Sequence, residues 1–446
     1  MRIASRRSFL AASLAGLSCT SPRRPAAPVK TVPTILLRSG WQTENIGDIA
    51  HTPGLLRLLT QHFPNANLIL WSNATDRGVG EMLLRNFPAL RIVSGEPGAQ
   101  PVQEVFSRAD FLLHGSGPSV VARGHVEAWR KATGKPYGIL GVTITTNAQR
   151  AAKQASFCAR CLEDEAASKA IDDSLHDLLE NASFVYTRES LSLANLKSAG
   201  LQRTKLGLAP DATFSLKLSG EEAAKAFLAK TGLQPKKFIA AIPRLRYTPY
   251  HLFKKNYQQS REEVARRTAV NEKHQHEDHA KMREAIVAWV RNTGNKVLLC
   301  PEMTYQVELL DPLLYNPLPD DVKKKVVRRK TYWITDEASS VYRRATAVLS
   351  FECHSPIIAA TGDTPGLYLR QPEDGIKGQM WTDVGLAHCA LPVEQTTGAE
   401  ITKRLMRMHE DYPSAQVTVH EAVIYARRLQ SEPMDLLKTI LARITG

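Results

Sequence analysis

The stretch Asp110-Phe-Leu-Leu-His-Gly-Ser-Gly-Pro-Ser119 runs from a short apolar segment through a glycine turn into the amphipathic pattern of residues 119–132. An apolar run of this length bounded by turn residues reads as a buried strand, and the 3.6-residue periodicity after it reads as a helix. The same alternation extends on both sides. Thr34–Arg38, Ala66–Trp71, Leu90–Val93, Tyr137–Thr145 and Phe184–Thr187 are expected strands, and Thr52–His62, Gly78–Asn86 and Ser190–Ser198 are expected helices. Strands separated by helices imply an α/β fold with a doubly wound parallel sheet. A second set begins after Ser219-Gly220-Glu221, with Lys237–Pro243, Lys296–Cys300, Thr346–Phe351 and Gly366–Leu369 as strands. The chain therefore divides into two Rossmann-like domains, 33–218 and 219–446. Residues 254–283 form a polar insertion, and the last helices are placed to pack on either half.

Length and composition agree with this division. At about 150 residues per domain, 446 residues suggest two or three domains. The 43% apolar and 23% charged content excludes long disorder, collagen and a multispanning membrane protein. Net charge is +14, but residues 1–30 hold six positive charges and no acid, which leaves a modest +8 for the rest. The main basic run, Lys323-Lys324-Lys325 to Arg328-Arg329-Lys330, follows Asp320-Asp321 and has only Tyr332 and Trp333 nearby. Nucleic-acid binding needs repeated basic residues interleaved with stacking aromatics, so this run is expected to be a solvated helix face and nucleic acid is not an expected partner.

Residues 5–10, Ser-Arg-Arg-Ser-Phe-Leu, precede the apolar run Ala11–Leu17 and then Cys19, a pattern resembling a twin-arginine export signal. The run is far shorter than the ~20 residues of a spanning helix. Residues 1–32 are thus expected to be an export signal and linker, giving a periplasmic or cell-envelope protein that would associate with a membrane if lipidated at Cys19. The six cysteines are too few and scattered for a disulfide framework. Cys158-Ala-Arg-Cys161 lies among helix formers and reads as a pair of helix-face thiols, open to bridging after export.

In doubly wound sheets ligands bind beyond the carboxyl ends of the strands, so chemistry is sought in the loops that follow them. After the first strand comes Asn45-Ile-Gly47-Asp48, where Asp48 is placed to cap a helix starting near Thr52. After the fourth comes His114-Gly115-Ser116-Gly117-Pro118, whose backbone N–H groups suit an anion if the helix opens at once. After Leu349-Ser350 come Glu352 and His354, the best general acid–base candidate in the chain. His274, His276 and His279 in the polar insertion are close in sequence, as surface residues or as contacts to a metal or acidic ligand.

Taken in order, these segments resemble the polysaccharide pyruvyl transferase family over most of residues 34–390. The resemblance rests on Asn45-x-Gly47-Asp48, His114-Gly115-x-Gly117, Tyr186-x-Arg188-Glu189-x-x-Ser192, Pro210-Asp211, Arg244, and Ser350-x-x-x-His354 with Ala359-Ala360 ahead of Gly362 and Pro365. It implies two Rossmann-like domains arranged as in B-type glycosyltransferases, with the active site between them. The implied reaction moves the enolpyruvyl unit of phosphoenolpyruvate, as co-substrate with no further cofactor or metal, onto sugar hydroxyls of a cell-surface or exopolysaccharide glycan as a ketal. Carried over by position, His354 with Glu352 forms the catalytic pair. Arg188, Arg244, Gly115, Ser116 and Gly117 would hold the donor, and Asn45, Asp48 and His114 the cleft or acceptor. The chain departs from the family's Ser-x-Arg-Leu-His by placing Glu352 at the arginine position, which opposes an anionic donor unless Arg188, Arg244 or Arg246 compensates. Two other readings follow from that departure: a glycosyltransferase-like enzyme with a different donor, and an exported glycan-binding protein without turnover.

Overall fold

The computed structural model describes residues 32–147, 149, 171–254 and 257–445. The expected export signal, Cys19, Cys158 and Cys161 lie outside the described residues. The first seven strands are β1 (Thr34–Arg38), β2 (Asn67–Ser72), β3 (Arg91–Ser94), β4 (Phe111–His114), β5 (Tyr137–Val142), β6 (Phe184–Thr187) and β7 (Lys205–Leu208). They form one all-parallel sheet in the order β3-β2-β1-β4-β5-β6-β7. A second parallel sheet holds β8 (Phe238–Ile242), β9 (Lys296–Leu299), β10 (Val326–Arg328), β11 (Ala347–Ser350), β12 (Gly366–Arg370) and β13 (Ala390–Pro392). Its order, β10-β9-β8-β11-β12-β13, repeats the pattern of the first.

The central strands read clearly because both faces are covered: every residue of β4, β5, β6, β8 and β11 is buried. β7, β10 and β13 were not expected from the sequence, because these edge strands are partly exposed and carry no continuous apolar run. For the same reason the basic run read as a helix face is corrected. Only Asp320–Lys323 is helical, Val326–Arg328 is an edge strand, and Arg328 and Arg329 pair with Asp311 and Glu337.

Helices cover both sheets. In the first half they are α1 (Ile46–His62), α2 (Val79–Asn86), α3 (Gln100–Arg108), α4 (Arg123–Thr133), α5 (Asp173–Glu180) and α6 (Ser190–Ser198). The second half has α7 (Glu221–Thr231), α8 (Arg261–Thr293), α9 (Thr335–Tyr342), α10 (His354–Ala360), α11 (Gly398–Glu410) and α12 (Tyr412–Thr445). The polar insertion is the front of α8, a single 33-residue helix capped by the Ser260 hydroxyl. Its apolar period starts only at Met282 because the earlier turns face solvent on most sides.

One apolar cluster joins the halves, from Ile35 and Leu37 through Leu55 and Leu59 of α1 to Val341 of α9 and Ala240 of β8. α12 crosses both. Val419, Ala422 and Val423 pack in the core of the second half, whereas Met434, Leu437 and Leu441 join the shared cluster. Gln430 on α12 donates to the carbonyls of Pro210 and Asp211 at 2.9 and 2.8 Å, which ties this helix to the loop that carries the central carboxylate of the cleft. No described helix is long and apolar enough to cross a membrane.

Candidate active site

The carboxyl ends of the two sheets face each other across a cleft with two adjoining lobes, of about 270 and 570 Å³. Both lobes are lined by Pro118, Arg188, Arg244, Thr248, Tyr250 and Lys377. Each of these residues follows a strand, so the doubly wound topology alone brings them together.

The floor begins with α1. Asn45, rather than the expected Asp48, caps this helix: its Oδ1 accepts the N–H groups of Gly47 at 2.7 Å and Asp48 at 3.2 Å. The helix thus starts six residues before Thr52. Pro53 sits inside the helix, and Gly54 is needed because a Cβ there would stand 2.1 Å from the Ala212 carbonyl oxygen. The capped end docks on the second half, where the Ile46 N–H donates to the Glu302 carbonyl at 3.0 Å. Gly47 makes this approach possible, since a Cβ would lie 2.6 Å from the His354 Cβ and 2.7 Å from Glu302 Oε1. Gly47→Ala is expected to cost about 1–3 kcal/mol through this overpacking. It should also displace His354, so a lowered unfolding temperature with weakened ligand binding checks it.

The centre of the site is Asp211, fully buried after β7. Its Oδ1 accepts from the Thr213 N–H at 2.9 Å and the Thr213 hydroxyl at 2.8 Å, and lies 2.9 Å from His51 Nδ1. Its Oδ2 faces Arg188 Nη1 at 3.2 Å and His354 Nε2 at 3.4 Å. Burial alone would raise this carboxyl, but His51 and His354 hold it well below the usual carboxylate range. Burial likewise disfavours a charged His354, yet Cys353, Asp211 and Glu302 outweigh it and hold the imidazole well above its ordinary value. His354 Nδ1 stands 3.5 Å from Cys353 Sγ and 3.8 Å from Glu302 Oε1. Glu302 is fixed in turn by the Ser355 N–H and hydroxyl at 2.8 and 2.6 Å. His51, Asp211 and His354 offer ligand atoms within 4.8 Å of one another, close enough for a cation. Arg188 and Thr213 already engage both oxygens of Asp211, however, so the group is a hydrogen-bonded chain beside a fixed guanidinium.

The opposite wall comes from the second half. Arg244 pairs with Asp374 Oδ1 at 2.5 Å and with Glu352 Oε1 at 3.2 Å, and Lys377 Nζ lies 2.7 Å from Asp374. Glu352 also accepts from the Gln306 amide at 2.7 Å. Burial pushes the Glu352 carboxyl up to about 7, with Arg244 restraining the rise. The negative charge at this position thus faces Arg244, one of the three arginines named as able to compensate it. Arg246 lines the larger lobe, where Asp278, Glu394 and Glu373 surround it.

The structure brings together Asn45, Asp48, Arg188, Arg244, Glu352 and His354 on one cleft wall or another. His114, Gly115, Ser116 and Gly117 are corrected, because they lie behind it. The His114 ring is fully buried, accepts the Ala122 N–H at 3.3 Å, and is pushed down to about 3 by burial and then by Arg38. The N–H groups of Gly115 and Gly117 go to the carbonyls of Arg38 and Gly141 at 2.9 and 3.2 Å, and α4 opens only at Arg123, so no helix N-terminus stands behind the turn. Ser116 serves the site indirectly, its Oγ 2.8 Å from His51 Nδ1. The three histidines of the insertion separate. His279 is buried beneath Arg244, with its Nε2 accepting the Arg244 N–H at 3.3 Å, while His276 is exposed. Sequence reasoning missed His51, Glu302, Asp374 and Lys377 as site residues, and gave Asp211, present in the resemblance, no role. His51 follows Asp48 by three residues, one helical turn, which was the available signal once α1 is started at Ile46.

Residues 45–370 match the family model described as polysaccharide pyruvyl transferase. Among curated proteins no sequence matches the chain. Solved structures with a similar fold include Medicago truncatula UGT71G1 complexed with UDP-glucose, at 10% identity and TM-score 0.51, covering 93% of this chain and 99% of that one. Another is the UDP-GlcNAc 2-epimerase of Neisseria meningitidis bound to UDP-GlcNAc, at 12% identity and TM-score 0.51, covering 91% and 100%. A third is Anabaena Alr3699/HepE in complex with UDP-glucose, at 10% identity and TM-score 0.51, covering 91% and 99%. At these identities the likeness concerns the fold, two Rossmann-like domains of the glycosyltransferase B arrangement.

Proposed function

The chain belongs to the polysaccharide pyruvyl transferase family, and on that premise we propose that it moves the enolpyruvyl unit of phosphoenolpyruvate onto hydroxyls of a glycan as a pyruvate ketal. The observation that carries this reading is the juxtaposition of His354, held toward its protonated form, with Arg188, Arg244 and Lys377 in one cleft between the halves. The donor bears a phosphate and a carboxylate, and guanidinium and ammonium groups pair with both. The reaction needs an acid to protonate the methylene carbon, which leaves an oxocarbenium-like centre for the hydroxyl to attack. His354 is the group in the cleft suited to that transfer at neutral pH. Glu352 shares Arg244 with Asp374 and so lowers the positive field available to the donor. The Arg6-Arg7 signal and Cys19 support export to the cell envelope, where a surface or secreted polysaccharide would be the acceptor.

Calorimetric titration of phosphoenolpyruvate into the full chain, beside UDP-glucose, tests the reading. Saturable phosphoenolpyruvate binding is expected. Lys377→Met should weaken it and Glu352→Gln should tighten it, each about tenfold, the order of effect of a single charge change at an effective dielectric constant of about 20. Binding of the nucleotide sugar alone would overturn the reading in favour of a changed donor, which Glu352 in place of an arginine would then explain.

A further inference from the structure

Resting on that reading, we infer that Lys254 is the ligand for the donor's phosphate in the smaller lobe and supplies the positive charge that Glu352 withdraws there. What sets Lys254 apart is the pairing of the other cations. Arg188 faces Asp211 at 3.2 Å and Glu189 at 3.4 Å. Arg244 lies between Asp374 and Glu352, and Lys377 is 2.7 Å from the same Asp374. Two cations of that wall thus meet two carboxylates, and their charges largely cancel. Arg246, the third arginine named as able to compensate Glu352, is surrounded by Asp278, Glu373 and Glu394 and does not line this lobe. Lys254 does line it, and among the described residues no carboxylate stands within ion-pair distance of its ammonium.

The loop between β8 and α8 holds this side chain in place. The N–H groups of Phe253 and Lys254 both donate to the Tyr250 carbonyl, at 3.2 and 2.8 Å, and the turn so formed sets Lys254 Nζ 4.9 Å from the centroid of the Tyr250 ring. Tyr250 packs in turn on Phe253 and Tyr257, with centroids 5.5 and 5.1 Å away, and Phe253 stacks on Tyr305 at 5.9 Å. The ammonium therefore rests on an aromatic base instead of a carboxylate. A ring face attracts a cation without neutralising it, so the whole charge is left for an incoming anion. The chemistry of the two ends of the donor divides accordingly. A lysine ammonium is a compact point charge with three rotatable donors, suited to phosphate oxygens from many directions, whereas the planar forks of Arg188 and Arg244 also match a carboxylate edge. With Glu352 against Arg244, the doubly charged phosphate is better placed on the Lys254 side of the lobe, away from that carboxylate.

The test is calorimetric titration of the full chain with phosphoenolpyruvate, inorganic phosphate and pyruvate, in wild type, Lys254→Met and Lys254→Arg. Methionine keeps an apolar stem against Tyr250, so the loop is retained while the charge is lost. Equal unfolding temperatures confirm that both variants fold. Lys254→Met should weaken phosphoenolpyruvate and inorganic phosphate alike, by about tenfold. Pyruvate has the donor's carboxylate without its phosphate, and its binding should be the same in all three proteins. Lys254→Arg should restore phosphate binding to within about threefold of wild type. A loss below twofold for both phosphate probes overturns the assignment, as does an equal loss for pyruvate, which would show a field acting on any anion. Failure of the donor reading gives a different result: wild type then binds inorganic phosphate through Lys254 but not phosphoenolpyruvate. Wild type that binds phosphoenolpyruvate equally well without Lys254 removes the phosphate ligand alone, and wild type that binds neither probe overturns both.

Discussion

On the proposed reaction, His354→Gln is expected to lower turnover by about 10³-fold at neutral pH while donor affinity changes only a few-fold, within the range observed for loss of a positioned general acid. Gln preserves the size of the side chain and a donor toward Asp211 but supplies no acidic proton. On the proposed reaction the separation of rate from binding follows from a division of labour in the cleft, with Arg188, Arg244 and Lys377 supplying the positive charge and His354 the transferable proton. The pH dependence fixes the sign. The His354 imidazole is held well above its ordinary value of 6.5, so the acid form persists through neutrality and the rate falls as pH rises through the folded-state value. The stability contribution of this residue runs the same way. It is fully present below about 6.5, the unfolded value, and is lost as pH rises above it. The difference in unfolding temperature between wild type and His354→Gln should therefore be largest near pH 5–6 and shrink through pH 8. A difference that grows with pH would show that the ring is buried neutral and would remove His354 as the acid.

The parts of this chain that were legible in its sequence share a physical property, two-sided burial. β4, β5, β6, β8 and β11 announce themselves as apolar runs because helices cover both faces, and the alternation of such runs with helical periodicity gave both Rossmann-like sheets. β7, β10 and β13 were invisible because each lies at a sheet edge and is too exposed to carry an apolar run, whereas the edge strand β3 kept a short one. The site was legible where its residues directly follow strands, as at Arg188, Arg244 and His354. It was illegible where function depends on what a backbone group already does. The glycine turn at Gly115–Gly117 has the composition of an anion cradle, but its N–H groups are taken by Arg38 and Gly141 from adjacent strand ends. Asp48 has the composition of a cap, but Asn45 holds that role three residues earlier, which releases the Asp48 carboxylate to the cleft and brings His51 onto the buried face. Glu352 read alone is a repulsive charge, and only the fold places Arg244 and Gln306 against it.

Asp211→Ala is expected to destabilise the protein by about 3–5 kcal/mol, the usual cost of removing one partner from a buried charged network. Against a typical total of about 5–15 kcal/mol this is a large fraction. The reason is what it leaves behind. Arg188, 2% exposed, would keep only Glu189 at 3.4 Å as a carboxylate neighbour among the described residues. Burial pushes Glu189 up to about 7, although Arg188 opposes the rise, so its charge is partial at neutral pH. His51 and His354 lose the acceptor they share, and the Thr213 N–H and hydroxyl lose theirs. Asp211→Asn keeps an oxygen for Thr213 and so costs less, but it cannot balance Arg188. Because the Asp211 carboxyl is held well below 3.8, its contribution is fully present above that value and is lost only as pH falls through its folded-state value. Urea unfolding should therefore give a wild-type advantage that is nearly constant in its Asp211 part between pH 5 and 8, with Asp211→Asn between wild type and Asp211→Ala. An alanine variant within 1 kcal/mol of wild type would mean that Glu189 alone carries the Arg188 charge.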